Sequence, residues 1–151
     1  MPKDVIGKPM DGVINGYDTT GYEWDVYQKT PIMPTYTIAL AVLFNYTHAG
    51  KVMTSKNISA WISDGKNSLE QVNTNVDYTE TFLLFLEEYF NMTDPLPKLD
   101  RLDAPFGWPA AMENWGLFIY FNRYLSHEST IAHELGHLWF GNLVTCKNFT
   151  Q

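Results

Sequence analysis

Apolar positions change their spacing several times along the chain, and each change predicts an element. The first thirty residues carry few regular apolar positions and hold turn dipeptides at Asp11-Gly12 and Asn15-Gly16, so they read as loops and short hairpin strands. "TYTIALAVLFNYT" (35 to 47) is dense in β-branched and aromatic residues over a length that suits a mostly buried strand. "NISAWIS" (57 to 63) is a second strand ahead of the Asp64-Gly65 turn. The period then shifts to that of a helix, with Leu69, Val72, Val76, Leu83, Leu86 and Phe90 on one face. Ser68 opens that helix, and Gln71 completes a capping box. Prolines in "DPLPKLDRLDAPFGWP" end it, leaving a strand around Leu99 to Leu102, and "ENWGLFIYF" (113 to 121) reads as another. A last helix starts near Ser126 with Glu128 in its first turn and turns Ile131, Leu135, Leu138 and Trp139 toward a core to which Phe140 also belongs. Strands, helix, strands, helix, with no internal repeat, imply an α+β layer arrangement.

Composition agrees with a folded core and narrows the partners. The 151 residues are 45% apolar and 15% aromatic, enough to bury a core of ordinary domain size. The net charge of −7 comes from 17 acidic and 10 basic residues with no basic run, which argues against nucleic acid as a partner. "IALAVLF" (38 to 44) is far short of the roughly 20 residues a membrane-spanning helix needs, so no membrane span is expected in this stretch. The opening "MPKDVIGKPMDGVINGYD" lacks the layout of a secretory signal, and the single cysteine, Cys146, permits no internal disulfide. Sequons at Asn45, Asn57, Asn91 and Asn148 tilt the reading toward the cell surface or extracellular space, with a cytoplasmic location left open.

The chemistry concentrates in "AHELGHLWFGN" (132 to 142). Residues four apart lie about 6 Å from each other on one helix face, so His133 and His137 can both direct an imidazole nitrogen at one ion about 2 Å away. Glu134, about 100° round the helix, can reach a water on that ion without entering its coordination sphere, which is the place of a general base. Zinc lowers the pKa of its water to about 7 and polarises a carbonyl, so the chemistry this pattern predicts is amide hydrolysis. The same spacing also suits a plain helix with two partly exposed histidines. A catalytic zinc needs a third protein ligand. His127 is turned about 120° from the histidine face and His48 falls in a loop, so neither supplies it and both are expected to face solvent.

"AAMENWGL" (110 to 117) followed by "HELGHLWFGNLVT" (133 to 145) resembles the zinc aminopeptidase family typified by aminopeptidase N, whose signatures are a Gly-x-Met-Glu-Asn segment and a His-Glu-x-x-His helix. "TPIMPTYTIALAV" (30 to 42) and "DPLPKLDRLDAP" (94 to 105) resemble the stretches that precede those signatures. The resemblance implies a partial thermolysin-like catalytic domain over residues 46–151, preceded at 1–45 by the end of a β-rich domain. It implies one zinc ion held by His133 and His137, with Glu134 as general base. It also implies that Glu113 holds the free α-ammonium of a peptide substrate, while Ala110, Ala111, Met112 and Asn114 line the bound peptide. A carboxylate on a cationic amine is a charge-assisted contact that would select the first residue of a peptide.

The departures from the family pattern carry expectations of their own. The family's third ligand, a glutamate nineteen residues after the second histidine, would fall near position 156, and its oxyanion-stabilising tyrosine lies further on. The chain is therefore expected to be a fragment that binds zinc weakly and has little activity alone. Ala110 stands where the family has glycine, and the link from Glu113 to His133 is short, either of which could retune the site. An inactive homologue serving as a binding or receptor-like protein is the alternative. The Met-Glu-Asn segment disfavours an endopeptidase.

Overall fold

The computed structural model describes residues 3–9, 13–14, 17–18, 20–52, 56–63, 69–105, 107, 109–121 and 124–147. The chain resolves into two compact units, Met1–Pro31 and Ile32–Gln151. In the first, β1 (Lys3–Pro9), β2 (Val13–Ile14), β3 (Tyr17–Asp18) and β4 (Glu23–Tyr27) make two antiparallel pairs, β1 with β4 and β2 with β3. Short antiparallel strands are expected of this start, and the Asp11-Gly12 and Asn15-Gly16 dipeptides lie outside the described residues. Register shifts between Lys3 and Lys8 interrupt the longer pair.

The second unit is a five-stranded mixed sheet with two helices, the α+β class read from the pattern. Its strands are β5 (Tyr46–Val52), β6 (Asn57–Ser63), β7 (Lys98–Ala104), β8 (Ala111–Met112) and β9 (Leu117–Phe121), in the order β5-β6-β7-β9-β8. The helices are α1 (Leu69–Phe90) and α2 (Glu128–Gly136). β6, β7 and β9 run parallel, and β5 and β8 pair antiparallel at the two edges. A parallel step from β6 to β7 needs a crossover longer than a tight turn, and α1 is that crossover.

The helical spacing holds over α1: Val72, Val76 and Leu83 are buried, and Leu86 and Phe90 half-buried. The helix ends at Phe90, followed by Asn91 in the left-handed conformation (φ 49°). Ser68 of the capping box and the Asp64-Gly65 turn lie outside the described residues. The four residues expected to face the core from the last helix are all buried, but α2 ends at Gly136, so Ile131 and Leu135 belong to it while Leu138 and Trp139 lie in the turns that follow. Phe140 is not a core residue: it is 63% exposed and meets Phe90 edge-on, whereas Trp139 stacks on the same ring at 5.4 Å.

Two strand expectations change. Within the run from 35 to 47, Thr35–Thr37 form a 3-10 turn, residues 38–45 belong to no strand, and pairing starts only at Tyr46. Ile38, Leu40, Val42 and Phe44 are between 64% and 90% exposed, the every-other-residue exposure of extended backbone. No strand among the described residues runs beside them, and Asn45 (φ 57°) breaks the extended path before β5. The second concerns 113–121, where the strand begins at Leu117 and Glu113 to Gly116 form a loop and turn. Gly116 sits at φ 89°, with an added Cβ only 2.9 Å from Leu96 Cδ1, so the chain leaves the strand direction there.

Candidate metal and peptide site

α2 presents its histidines as the spacing requires. Nε2 of His133 and Nε2 of His137 stand 3.1 Å apart, with their rings edge to face. His137 Nδ1 lies 3.0 Å from the carbonyl oxygen of Phe140. A carbonyl only accepts, so that bond places the ring proton on Nδ1 and leaves the Nε2 lone pair pointing away. The backbone bends to allow it: after His137 the helix tightens into turns in which Leu138 and Trp139 donate three residues back. Two unprotonated imidazole nitrogens at this distance repel unless a cation or a proton stands between them.

Glu134, next to His133, is buried at only 4% exposure, with its carboxylate on the side of His137 and Glu113. Burial pushes its carboxyl up to about 7, His137 pulling against that rise and the carboxylate of Glu113 adding to it. Oε2 of Glu134 has no hydrogen-bond partner. One ligand atom from each of Glu113, Glu134 and His137 lies within 4.8 Å of the others, a group able to hold a metal ion. His127 and His48 are exposed as expected, in tilted ring contact with Tyr124 and Trp61 respectively, but His48 lies on strand β5 and not in a loop, since it pairs with Trp61 of β6.

Glu113 reaches this group because its loop is tied down on several sides. Trp115 N–H donates to Thr37 O at 3.0 Å and Asn114 Nδ2 to Tyr36 O at 3.1 Å. Asn142 Nδ2 donates to Glu113 O at 3.3 Å. The Tyr36 hydroxyl in turn donates to Gly141 O at 3.1 Å, so one turn before the sheet clamps the Glu113 loop to the end of α2. Beneath the loop, the indole of Trp115 donates to Asp94 Oδ1 at 2.8 Å. The buried ammonium of Lys56 pairs with the other carboxylate oxygen of Asp94, and the Asp94 N–H donates to Glu87 at 3.2 Å. Asn114 is buried, its side chain anchoring the loop through Tyr36.

Ala111 and Met112 form the edge strand β8, and Ala110 O accepts from Phe121 N–H at 2.9 Å. With β9 on one side and nothing paired on the other among the described residues, β8 offers backbone groups to an extended peptide immediately before Glu113. Ala110 does not adopt a positive φ, so the methyl group in place of glycine adds no backbone strain. Asn142 is readable from the sequence as a polar contact at the helix end, whereas Tyr36 and Asp94 are not, because hydrogen bonds to distant parts of the chain leave no periodic or motif signal.

Residues 74–151 match the peptidase family M1 domain. The chain is 36% identical over 152 residues to aminopeptidase Q of Mus musculus, covering 91% of this chain and 27% of that protein. It is 37% identical to aminopeptidase M1-C of Oryza sativa subsp. japonica (83% of this chain, 16% of that one) and 36% identical to aminopeptidase Ey of Gallus gallus (84% and 14%). It therefore spans about a quarter or less of the length of these curated relatives. With a histidine pair, a buried carboxylate and a tethered glutamate on one site, and a family match over half its length, the chain belongs to peptidase family M1, the metallo-aminopeptidases.

Proposed function

We propose that this chain carries the centre of a zinc-dependent aminopeptidase that removes the first residue of peptides with a free N-terminus. The observation that supports it best is that His137 meets His133 on one side and groups with Glu134 and Glu113 on the other. Two nitrogens bound to one tetrahedral zinc at about 2.0–2.1 Å would stand roughly 3.3 Å apart, close to the separation of the two Nε2 atoms. The Phe140 carbonyl orients His137 as such ligands require. Zinc, when bound, supplies a Lewis acid that acidifies water and polarises the scissile carbonyl.

The protein's own groups do the rest. Glu134, whose carboxyl sits near 7, accepts the proton of the attacking water and returns it to the leaving nitrogen. Glu113 holds the α-ammonium, and the free edge at Ala110, Ala111 and Met112 aligns the peptide backbone. Asn114 serves by holding the loop. Two imidazoles under-ligate a catalytic zinc, which needs three protein ligands, so residues 1–151 alone bind zinc weakly and hydrolyse little. Residues 1–45 close a β-rich domain and 46–151 open the peptidase domain. Asn45, Asn57 and Asn91 are exposed, as glycan acceptors of a cell-surface or extracellular protein need to be. No helix among the described residues is long and apolar enough to cross a membrane.

The test measures zinc content and hydrolysis of an aminoacyl p-nitroanilide by the chain and by a form extended past residue 160. Zinc-dependent hydrolysis in the extended form, lost in Glu134→Gln and absent on the N-acetylated substrate, is expected. Equal cleavage of blocked and free substrates, or no zinc in the extended form, defeats the reading.

A further inference from the structure

The sheet face under α1 holds a buried charge that the site described above does not use. Arg101 of β7 is 0% exposed, and its Nη1 donates to Asn75 O at 2.8 Å and to the Thr79 hydroxyl. Its Nε and Nη2 have no partner. Arg101 pairs with Phe118 across β7 and β9, so Tyr120, two residues further on, lies on the same face one step along. Tyr120 is also 0% exposed, its hydroxyl also lacks a partner, and it lies within electrostatic reach of both Arg101 and Glu134. Burial pulls the Arg101 guanidinium down to about 10 and pushes the Tyr120 hydroxyl well up, as unpartnered polar groups in a core must.

The three sets of unmet valences are complementary. A guanidinium only donates, a carboxylate only accepts, and a phenol does both. One order among them gives each residue a partner: Arg101 donates toward the Tyr120 oxygen and the Tyr120 O–H toward Oε2 of Glu134, each step bridged by an enclosed water because none of these atoms bonds another directly. We propose that Tyr120 and Arg101 are positioning residues for Glu134, holding one carboxylate oxygen from behind so that the other stays turned toward His133 and His137. This rests on the reading of Glu134 as the base. It gives the buried guanidinium an anionic counterpart, which a lone buried charge needs.

The experiment follows the tyrosine ring carbons by NMR in metal-free chain labelled with 13Cζ-tyrosine, the Tyr120 signal being identified by its loss in Tyr120→Phe. Glu134→Gln and Arg101→Lys are each expected to move that signal while the other tyrosine signals stay in place. In the extended, zinc-loaded form, Tyr120→Phe is expected to lower kcat on the order of tenfold with KM nearly unchanged. A Tyr120 signal unmoved by Glu134→Gln, or moved only by Asp103→Asn on the same face, overturns the proposal. The NMR arm needs no hydrolysis, so failure of the aminopeptidase reading and failure of this relay give different results.

Discussion

Glu113 and Glu134 are both carboxylates of the same site, yet their surroundings assign them opposite work. Glu113 is half-buried on a tethered loop, fit to meet a cation. Removing its charge in Glu113→Gln costs a charge-assisted contact worth about 1.5–3 kcal/mol, so kcat/KM of the extended form on free-amine substrates is expected to fall roughly 10- to 100-fold, mostly through KM. Steady-state kinetics on paired free and acetylated substrates checks this. Glu134 is buried, with a folded carboxyl near 7 against an ordinary 4.5. In the metal-free chain the folded state therefore keeps a proton that the unfolded chain releases. Stability from this group is greatest at low pH, falls as pH climbs from about 4.5 to about 7, and is flat above. Melting temperatures from pH 4 to 8 should show that decline, and Glu134→Gln should flatten it. The roles proposed for both residues come from a motif and a family resemblance, which can be read without the fold. The partnerless Oε2 of Glu134 and the tie from Asn142 to Glu113 cannot, since each is a relation between distant parts of the chain.

At the scale of elements, the site depends on a loop where the pattern reads strand. Trp115 and the apolar, aromatic run 117–121 favour a strand through this stretch, and periodicity alone cannot show that Gly116 turns the chain at φ 89°. Gly116→Ala meets both that conformation and Leu96, and a loss of about 1–3 kcal/mol in urea unfolding is expected. Asp94 bears on the same loop from below. Asp94→Ala would strand the Lys56 ammonium in the core and free the Trp115 indole, a change of about 3–5 kcal/mol, whereas an exposed pair would be worth under about 1 kcal/mol. Trp fluorescence and chemical denaturation together report it, and a silent Asp94→Ala would mean the pair carries no weight. The stretch 38–44 teaches the same lesson in reverse. Its strand-forming composition is plain, but β-structure needs a neighbour, and among the described residues none lies beside it.

For the molecule as a whole, a metal bound at the proposed site would be linked to the fold. An ion that binds His133 and His137 only when α2 is formed stabilises the folded state by mass action, about 2.7 kcal/mol at one hundred times its dissociation constant. Zinc should raise the melting temperature of the chain slightly and that of the extended form strongly, and His137→Ala should abolish both shifts. The α+β order, the helix carrying the histidine pair, and the membership of family M1 are all consequences of local spacing and of motifs, which survive in a linear text because they involve residues three or four apart. The buried face of α2 and of the turns after it, with Ile131, Leu135, Leu138 and Trp139, follows from the same periodicity. The exposure of Phe140, the late start of β5, the clamp from Tyr36 to Gly141 and the path that carries Glu113 to within reach of His137 depend instead on which surfaces meet. Those contacts join residues up to a hundred positions apart, and their energies come from desolvation and hydrogen-bond geometry that exist only once the chain has closed on itself.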